Sequence, residues 1–294
     1  MRAIRNKERV YQGFAYTVLT VVTLASLIPL IYVVSMSLVN EKEWIERGGF
    51  ILLPHSPTLL AYERLFKGDI FPHALIVSVI RTILGTALML TMTTIAGYIV
   101  SRRALPGRRA MLFAVLITVL FNGGLIPTYL VVRDTHLLDS IWALVIPGLI
   151  DSWSVLVIKQ FFENIPSELE ESAQMDGAGE IVLMIRLMLP MSKPVIAAIG
   201  LFTAVFHWNS WFDALIYIKD PHLQPLQLIM RNMFANVNIG SQMNPSSVLN
   251  PTQRVSMESL KMAVAVVGTI PILCVYPFIQ KHFTKGMFLG AVKG

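Results

Sequence analysis

Residues 74–100 read ALIVSVIRTILGTALMLTMTTIAGYIV, a run whose single charge is Arg81. Crossing the hydrocarbon of a bilayer takes about 20 apolar residues at about 1.5 Å rise each, and no water reaches backbone groups there. A run of this length therefore reads as a transmembrane helix. Five more runs obey the same rule, so six spans are predicted at Phe14–Leu38, Ala74–Val100, Met111–Val132, Ile141–Phe162, Val195–Ile218 and Leu260–Ile279. The predicted fold class is an all-α integral membrane protein.

Composition agrees. The 294 residues are 54% hydrophobic and 14% charged, with mean hydropathy +0.62, whereas soluble globular chains carry about 25% charged residues. That deficit excludes an ordinary soluble enzyme, and disorder, collagen and coiled coil lack their signatures. The first run follows Arg2, Arg5, Lys7 and Arg9 but exceeds the roughly 7–15 apolar residues of a cleaved signal, so it reads as a retained anchor. Alternating sides from there, the inner segments hold fourteen Lys or Arg, including Arg102, Arg103, Arg108, Arg109 and the tail residues Lys281, Lys285 and Lys293, against eight outside. Both termini are expected in the cytoplasm. The domain plan is a cytoplasmic segment 1–13, one transmembrane domain 14–281 containing a cytoplasmic loop 163–194, and a tail 282–294. The net charge of +6 then records topology; no groove-sized basic face points to nucleic acid. Cys274 reads as a small buried hydrophobe, and no Cys/His cluster points to a metal. Two outer stretches, Val39–His73 and Lys219–Ser259, are long enough for short helices of their own and for contact with something outside.

One cytoplasmic stretch breaks the charge rule. Between the fourth and fifth spans the chain reads Glu163-Asn-Ile-Pro-Ser-Glu-Leu-Glu-Glu-Ser-Ala-Gln-Met-Asp-Gly-Ala-Gly-Glu180, acidic where loops should be basic. Pro166, Ser167 and Glu170 predict a helix start with a capping box, and Gly177 its end. A second helix is expected from Ala178 to about Leu189, stopped by Pro190. The pattern Glu171-Ser172-Ala173, three residues, Gly177, nine residues, Leu187-Met188-Leu189-Pro190 resembles the EAA motif of permease subunits of binding-protein-dependent ABC importers. Two positions depart from it, Ser172 for Ala and Leu187 for Ile. Together with six spans, Ile165-Pro166, Trp208-Asn209 and the basic ending, the whole chain is similar to the smaller permease subunit of maltose-type carbohydrate importers, and Gly123-Gly124 through Tyr129 with the C-terminal stretch resemble the oligo- and polysaccharide branch.

That resemblance implies a type I importer permease in a bacterial inner membrane. It implies that the segment around Glu171–Gly177 docks in a cleft of a separate ATPase, with Glu170, Glu171, Ser172, Ala173, Asp176, Gly177, Leu187, Leu189 and Pro190 as coupling residues. Small Ala173 and Gly177 would allow close packing, the acids would pair with bases of the partner, and Leu189-Pro190 would lead back into the membrane. Implied partners are a homologous second permease, an ATPase dimer carrying ATP and Mg, an extracellular solute-binding protein and a carbohydrate.

Polar groups inside a membrane are expensive and point to function. Asn122, Gly123, Asp151, Trp153, Trp208, Asn209 and Asp213 combine amides, carboxylates and indoles, the groups that hold sugars. The competing reading makes the tryptophans an interfacial belt and the polar groups helix–helix ties. Gly123, Gly124 and Pro127 predict a mid-span kink, useful for gating. His207 reads as a satisfied packing histidine. Arg81 and Lys261 would snorkel to the interface or line the pathway mouth, and in the second case would favour an acidic oligosaccharide. No Gly-x-x-x-x-Gly-Lys-Ser/Thr or nucleophile motif occurs, so no catalytic residue is expected. An ion-coupled secondary transporter is the rival reading, with only Asp151 and Asp213 to serve it.

Overall fold

The computed structural model describes residues 2–235 and 255–290, with side chains at 11–235 and 255–275. The expected topology signals at Arg2, Arg5, Lys7, Arg9, Lys281, Lys285 and Lys293 lie outside the described side chains. All regular structure among the described residues is helical: α1 (Arg2–Ser37), α2 (Glu41–Arg47), α3 (Leu60–Lys67), α4 (Ile70–Ser101), α5 (Arg108–Leu120), α6 (Leu125–Asp134), α7 (Ser152–Glu163), α8 (Ser167–Met175), α9 (Glu180–Met191), α10 (Lys193–Asn209), α11 (Phe212–Tyr217), α12 (Leu226–Phe234) and α13 (Met257–Gly290). Helices α2 and α3 lie in the stretch Val39–His73, and α12 lies in the described part of Lys219–Ser259.

Three of the six apolar runs are unbroken, α1, α4 and α13. The other three are interrupted. Helices α5 and α6 meet at 115° within the third run and the short 3₁₀ turns of Ile141–Gly148 meet α7 at 50° within the fourth, while α9 meets α10 at 81° just before the fifth. The third run is thus broken where a kink was expected. Phe121 is extended, Gly124 takes φ +87°, and the Asn122 side chain accepts the Gly124 N–H at 2.9 Å. Pro127 causes no kink because it falls in the first turn of α6, where a helix lacks an N–H partner anyway. The fifth run is cut at Ser210-Trp211, between α10 and α11.

The chain forms two compact units, one gathering residues up to Asp69 with Asn232–Ile270, the other Ile70–Arg231 with the residues from Pro271 onward. In the second unit α4 is the central element, packed along α10 and α7. Its glycines permit this. A Cβ on Gly97 would stand 2.8 Å from Ile158 of α7, one on Gly85 would stand 2.6 Å from the His207 ring, and one on Gly200 of α10 would stand 3.0 Å from Leu90. Without a hydrophobic drive between helices in lipid, such close approach supplies the packing energy. His207 packs as expected but is not satisfied: both ring nitrogens are buried without a hydrogen-bond partner among the described residues. Cys274 corrects another expectation, being exposed rather than buried. An apolar side chain on a membrane helix loses nothing by facing lipid, so hydrophobicity there does not predict burial.

In the first unit the end of α1 meets α2 through Met36, Val39 and Ile51, with Tyr32, Trp44 and Met262 against them. Asn40 caps α2 by accepting the Glu43 N–H at 2.8 Å, the bond that N-terminal asparagines supply. Buried Glu43 accepts N–H groups of His55 and Ser56 at 2.7 and 3.3 Å and pairs with Arg47 at 2.8 Å. Burial works against its charge, yet these bonds hold its carboxyl below the usual carboxylate range. A depressed carboxylate stabilises the fold above its ordinary pKa, and that contribution is lost as pH falls through the native value. Amide protection at His55 and Ser56 should therefore hold from neutral pH down to the ordinary carboxylate range and drop below it. Protection unchanged at acid pH would contradict this role.

Candidate functional site

The acidic segment folds as two helices set across the ends of α4 and α7. Helix α8 starts at Ser167, with Pro166 at φ −55°, ψ 131° holding the chain extended before it. The expected capping box is absent. Ser167 is already helical and makes no cap bond, and the Glu170 carboxylate that should reach back is held by Arg102 instead. The end of α8 is as read: Gly177 takes φ +83°, its N–H bonds the Gln174 carbonyl at 2.9 Å, and the Ala178 N–H bonds Ala173 at 3.0 Å. These two bonds make a Schellman motif, which favours glycine at that position.

Pro190 does not stop the second helix. Helix α9 passes through it to Met191 because Leu183–Met188 widens into a π-helical stretch, in which the Leu189 N–H reaches Met184. A proline ring clashes with the carbonyl four residues before it in an ordinary helix, and a π-turn relieves that clash. Met184 and Leu189 then pack with Ile165 onto Tyr98, Ile158, Phe162, Met188, Val195 and Ile199. Helix α9 is fastened to α4, α7 and α10 by this common core, while α8 follows directly on Ile165 of the same cluster.

Half of the acidic excess is spent inside the chain. Glu163 is paired with Arg108 and, at 2.7 Å, with Lys159; Glu170 with Arg102; Glu180 with Arg102 at 2.8 Å. Tyr98 also donates to the Glu180 carboxylate at 2.6 Å. That bond, opposed by burial and helped by Arg102, holds the Glu180 carboxyl below its usual range. Glu170 is thus held by an internal tie to Arg102. Glu168, Glu171 and Asp176 make no ion pair among the described residues and are exposed. Beside them lie exposed Leu169, Ser172 and Met175, the last 89% exposed. Spacing of three residues puts Leu169, Ser172 and Met175 on one face of α8, flanked by free carboxylates. Of the remaining sequence candidates, Ala173 and Leu187 are half-buried, Leu189 is packed inward, and Gly177 and Pro190 are exposed. Sequence reasoning missed Arg102, which lies 68 residues from Glu170 in the chain. Its only signal was membership in a basic cluster.

The seven membrane candidates divide. Asn122, Gly123, Asp151 and Trp153 line one open concavity of about 470 Å³ with Thr118 and Ser152. Asp151 caps α7, accepting the Ser154 N–H at 2.8 Å, and Trp153 is 56% exposed. The other three lie apart, on α10 and α11. Trp208 is buried, the Asn209 amide donates to its own helix at Val205, and Asp213 is paired with Arg81. Arg81 itself is 0% exposed and also donates to the Ser210 carbonyl at 3.1 Å. It therefore neither snorkels nor lines a mouth: the break at Ser210-Trp211 frees a carbonyl, and Arg81 satisfies it. Lys261 likewise is buried, with Glu258 at 3.1 Å. Asp151 and Asp213 are thus both committed to structural bonds.

Residues 110–289 match the family model described as "Binding-protein-dependent transport system inner membrane component". Among curated relatives, the polygalacturonan/rhamnogalacturonan transport system permease protein YtcP of Bacillus subtilis is 42% identical over 98% of this chain and 100% of its own. Protein LplC of the same organism is 43% identical over 92% and 90%. A solved bacterial ABC transporter involved in the import of the acidic polysaccharide alginate has a chain that superposes with TM-score 0.87 at 28% identity, covering 94% of this chain and 98% of that one.

Proposed function

Since the chain belongs to the family of binding-protein-dependent transport system inner membrane components, we propose that it carries an oligosaccharide, an acidic one, across a bacterial inner membrane. As a member of that family it is the permease subunit of an ABC importer, a transport subunit rather than an enzyme. The observation that supports the coupling role best is the exposed face of α8, where free Glu168, Glu171 and Asp176 surround Leu169 and Met175 while Glu170 is tied to Arg102 at the end of α4. A protruding apolar knob rimmed with charge fits a cleft on a rigid partner. Closure of an ATPase dimer around ATP and Mg, bound by the partner and not by this chain, would then turn the attached spans as a body between inward- and outward-facing states. A second, homologous permease completes the pathway, a solute-binding protein docks outside, and both termini lie in the cytoplasm.

The sugar reading draws on the names of the relatives, two of which refer to acidic polysaccharides. The concavity at Asn122 and Trp153 supports a hydroxyl-rich ligand, because an amide, two hydroxyls and an indole face offer hydrogen bonds and stacking. The acidity does not come from Arg81, whose charge Asp213 already neutralises. Asp151 would turn a sugar carboxylate away from this wall and toward the second permease.

The test is affinity purification of the tagged chain from its native membrane, followed by calorimetry of the binding protein against oligogalacturonate, alginate oligosaccharide and a neutral maltooligosaccharide. Co-purification of an ATPase and a second permease, with binding of an acidic sugar, is expected. Isolation of the chain alone would contradict the importer reading, and tight binding of the neutral sugar only would contradict the acidic one.

A further inference from the structure

Arg102 is the first residue after α4, and its guanidinium is spent three ways. One Nη donates to Glu170 of α8, while Nε and the other Nη donate to one oxygen of Glu180 at the start of α9, at 3.0 and 2.8 Å. Its carbon lies 4.9 Å above the ring of Tyr98 of α4, whose hydroxyl donates to the same Glu180 oxygen at 2.6 Å. The Arg102 side chain is 18% exposed. Burial works against its charge, but the bonds to Glu180 and Glu170 hold the guanidinium firmly protonated. No other described cation bridges the two helices of the acidic segment.

From this geometry we infer that Arg102 is a positioning residue for coupling: it ties α8 and α9 to each other and to the cytoplasmic end of α4, so that displacement of α8 is passed to α4. Planar, forked arginine suits a site that must fix two carboxylates at once. Helix α4 is the right recipient, since it packs on both α7 and α10 and carries a second clamped arginine, Arg81, which holds the break after α10 through Ser210 and Asp213. Helix α4 thus carries one clamped cation in its first half, fixed to the interrupted fifth span, and is followed by another, fixed to the segment that meets the partner. Core contacts alone would let α8 slide; a bifurcated ion pair sets its register.

The inference rests on the docking role of α8, and the experiment separates the two. The complete importer is reconstituted in vesicles with Arg102→Gln, Arg102→Lys, the pair Glu170→Gln with Glu180→Gln, or Glu171→Lys, and uptake per ATP hydrolysed is measured beside ATPase association. Arg102→Gln should keep the ATPase bound but lower uptake per ATP about fivefold or more, the scale of a modest coupling energy. Arg102→Lys should recover part of the loss, and the glutamine pair should match Arg102→Gln, with no further loss when the two are combined. Normal uptake per ATP in Arg102→Gln, while Glu171→Lys uncouples, overturns the inference and spares the docking role. Normal uptake in Glu171→Lys as well overturns both. Loss of the assembled complex in every Arg102 and glutamine variant also overturns it, since Arg102 would then only hold the fold.

Discussion

Replacing Asp213 by Ala should prevent the chain from accumulating as a monodisperse folded protein, while Arg81→Leu combined with Asp213→Leu should recover part of it, the Ser210 carbonyl staying without its donor. Arg81 is 0% exposed, and its partners are Asp213 and the Ser210 carbonyl. Removing one member of a buried ion pair costs about 3–5 kcal/mol because the other charge is left uncompensated, whereas replacing both by apolar groups is often neutral. The site lies within a membrane helix, where an unpaired cation has no water to turn to. Fluorescence-detected size exclusion of detergent extracts would read this directly. Equal accumulation of Asp213→Ala and the parent would show that Arg81 finds another partner and that the pair does not hold the break.

A second large effect is expected at Gly177. Its φ of +83° belongs to a Schellman turn, a left-handed conformation that costs other residues about 1–2 kcal/mol. A Cβ there would meet nothing of this chain within 4 Å. Gly177→Asp should therefore leave the chain folded and inserted, yet place a charged side chain on the surface that faces the partner. ATP-driven uptake should fall at least tenfold, about 1.4 kcal/mol of lost coupling. Gly177→Asn separates the causes, since asparagine tolerates the left-handed turn as aspartate does but carries no charge: if it uncouples too, close approach is the requirement, and if it does not, the added charge is what disrupts the contact. Full uptake in both variants would leave Gly177 as a turn and nothing more.

The sequence carried the spans because hydropathy is summed over many residues, and it carried Gly177 because a helix end with left-handed φ is a local demand. What it did not carry depends on distant partners. No glycine or proline marks the interruption at Ser210-Trp211; it persists because Arg81, far away in the chain, accepts the task of bonding the freed carbonyl. The capping box failed for the same reason, Glu170 being drawn to Arg102. Pro190 looked like a stop because a proline blocks an ordinary turn, and the π-helical stretch before it removes that obstacle. The acidic exception in a basic loop was legible as a site, but its division into internal ties at Glu163, Glu170 and Glu180 and free groups at Glu168, Glu171 and Asp176 required coordinates. Among membrane candidates, the two short clusters Asn122-Gly123 and Asp151–Trp153 came together, while Asp213 was claimed by a charge that pattern reading had sent to the interface.

The central claim is that the exposed face of α8 transmits ATP-driven motion to the spans. It is tested most directly by reconstituting the importer with Glu171→Lys and measuring ATP hydrolysis and sugar uptake in the same vesicles. Glu171 is exposed and bonded to no charged group among the described residues, so the fold should not change. Insertion equal to the parent with uptake per ATP, or ATPase association, reduced at least tenfold is the predicted result; parental uptake with the ATPase fully associated would contradict it.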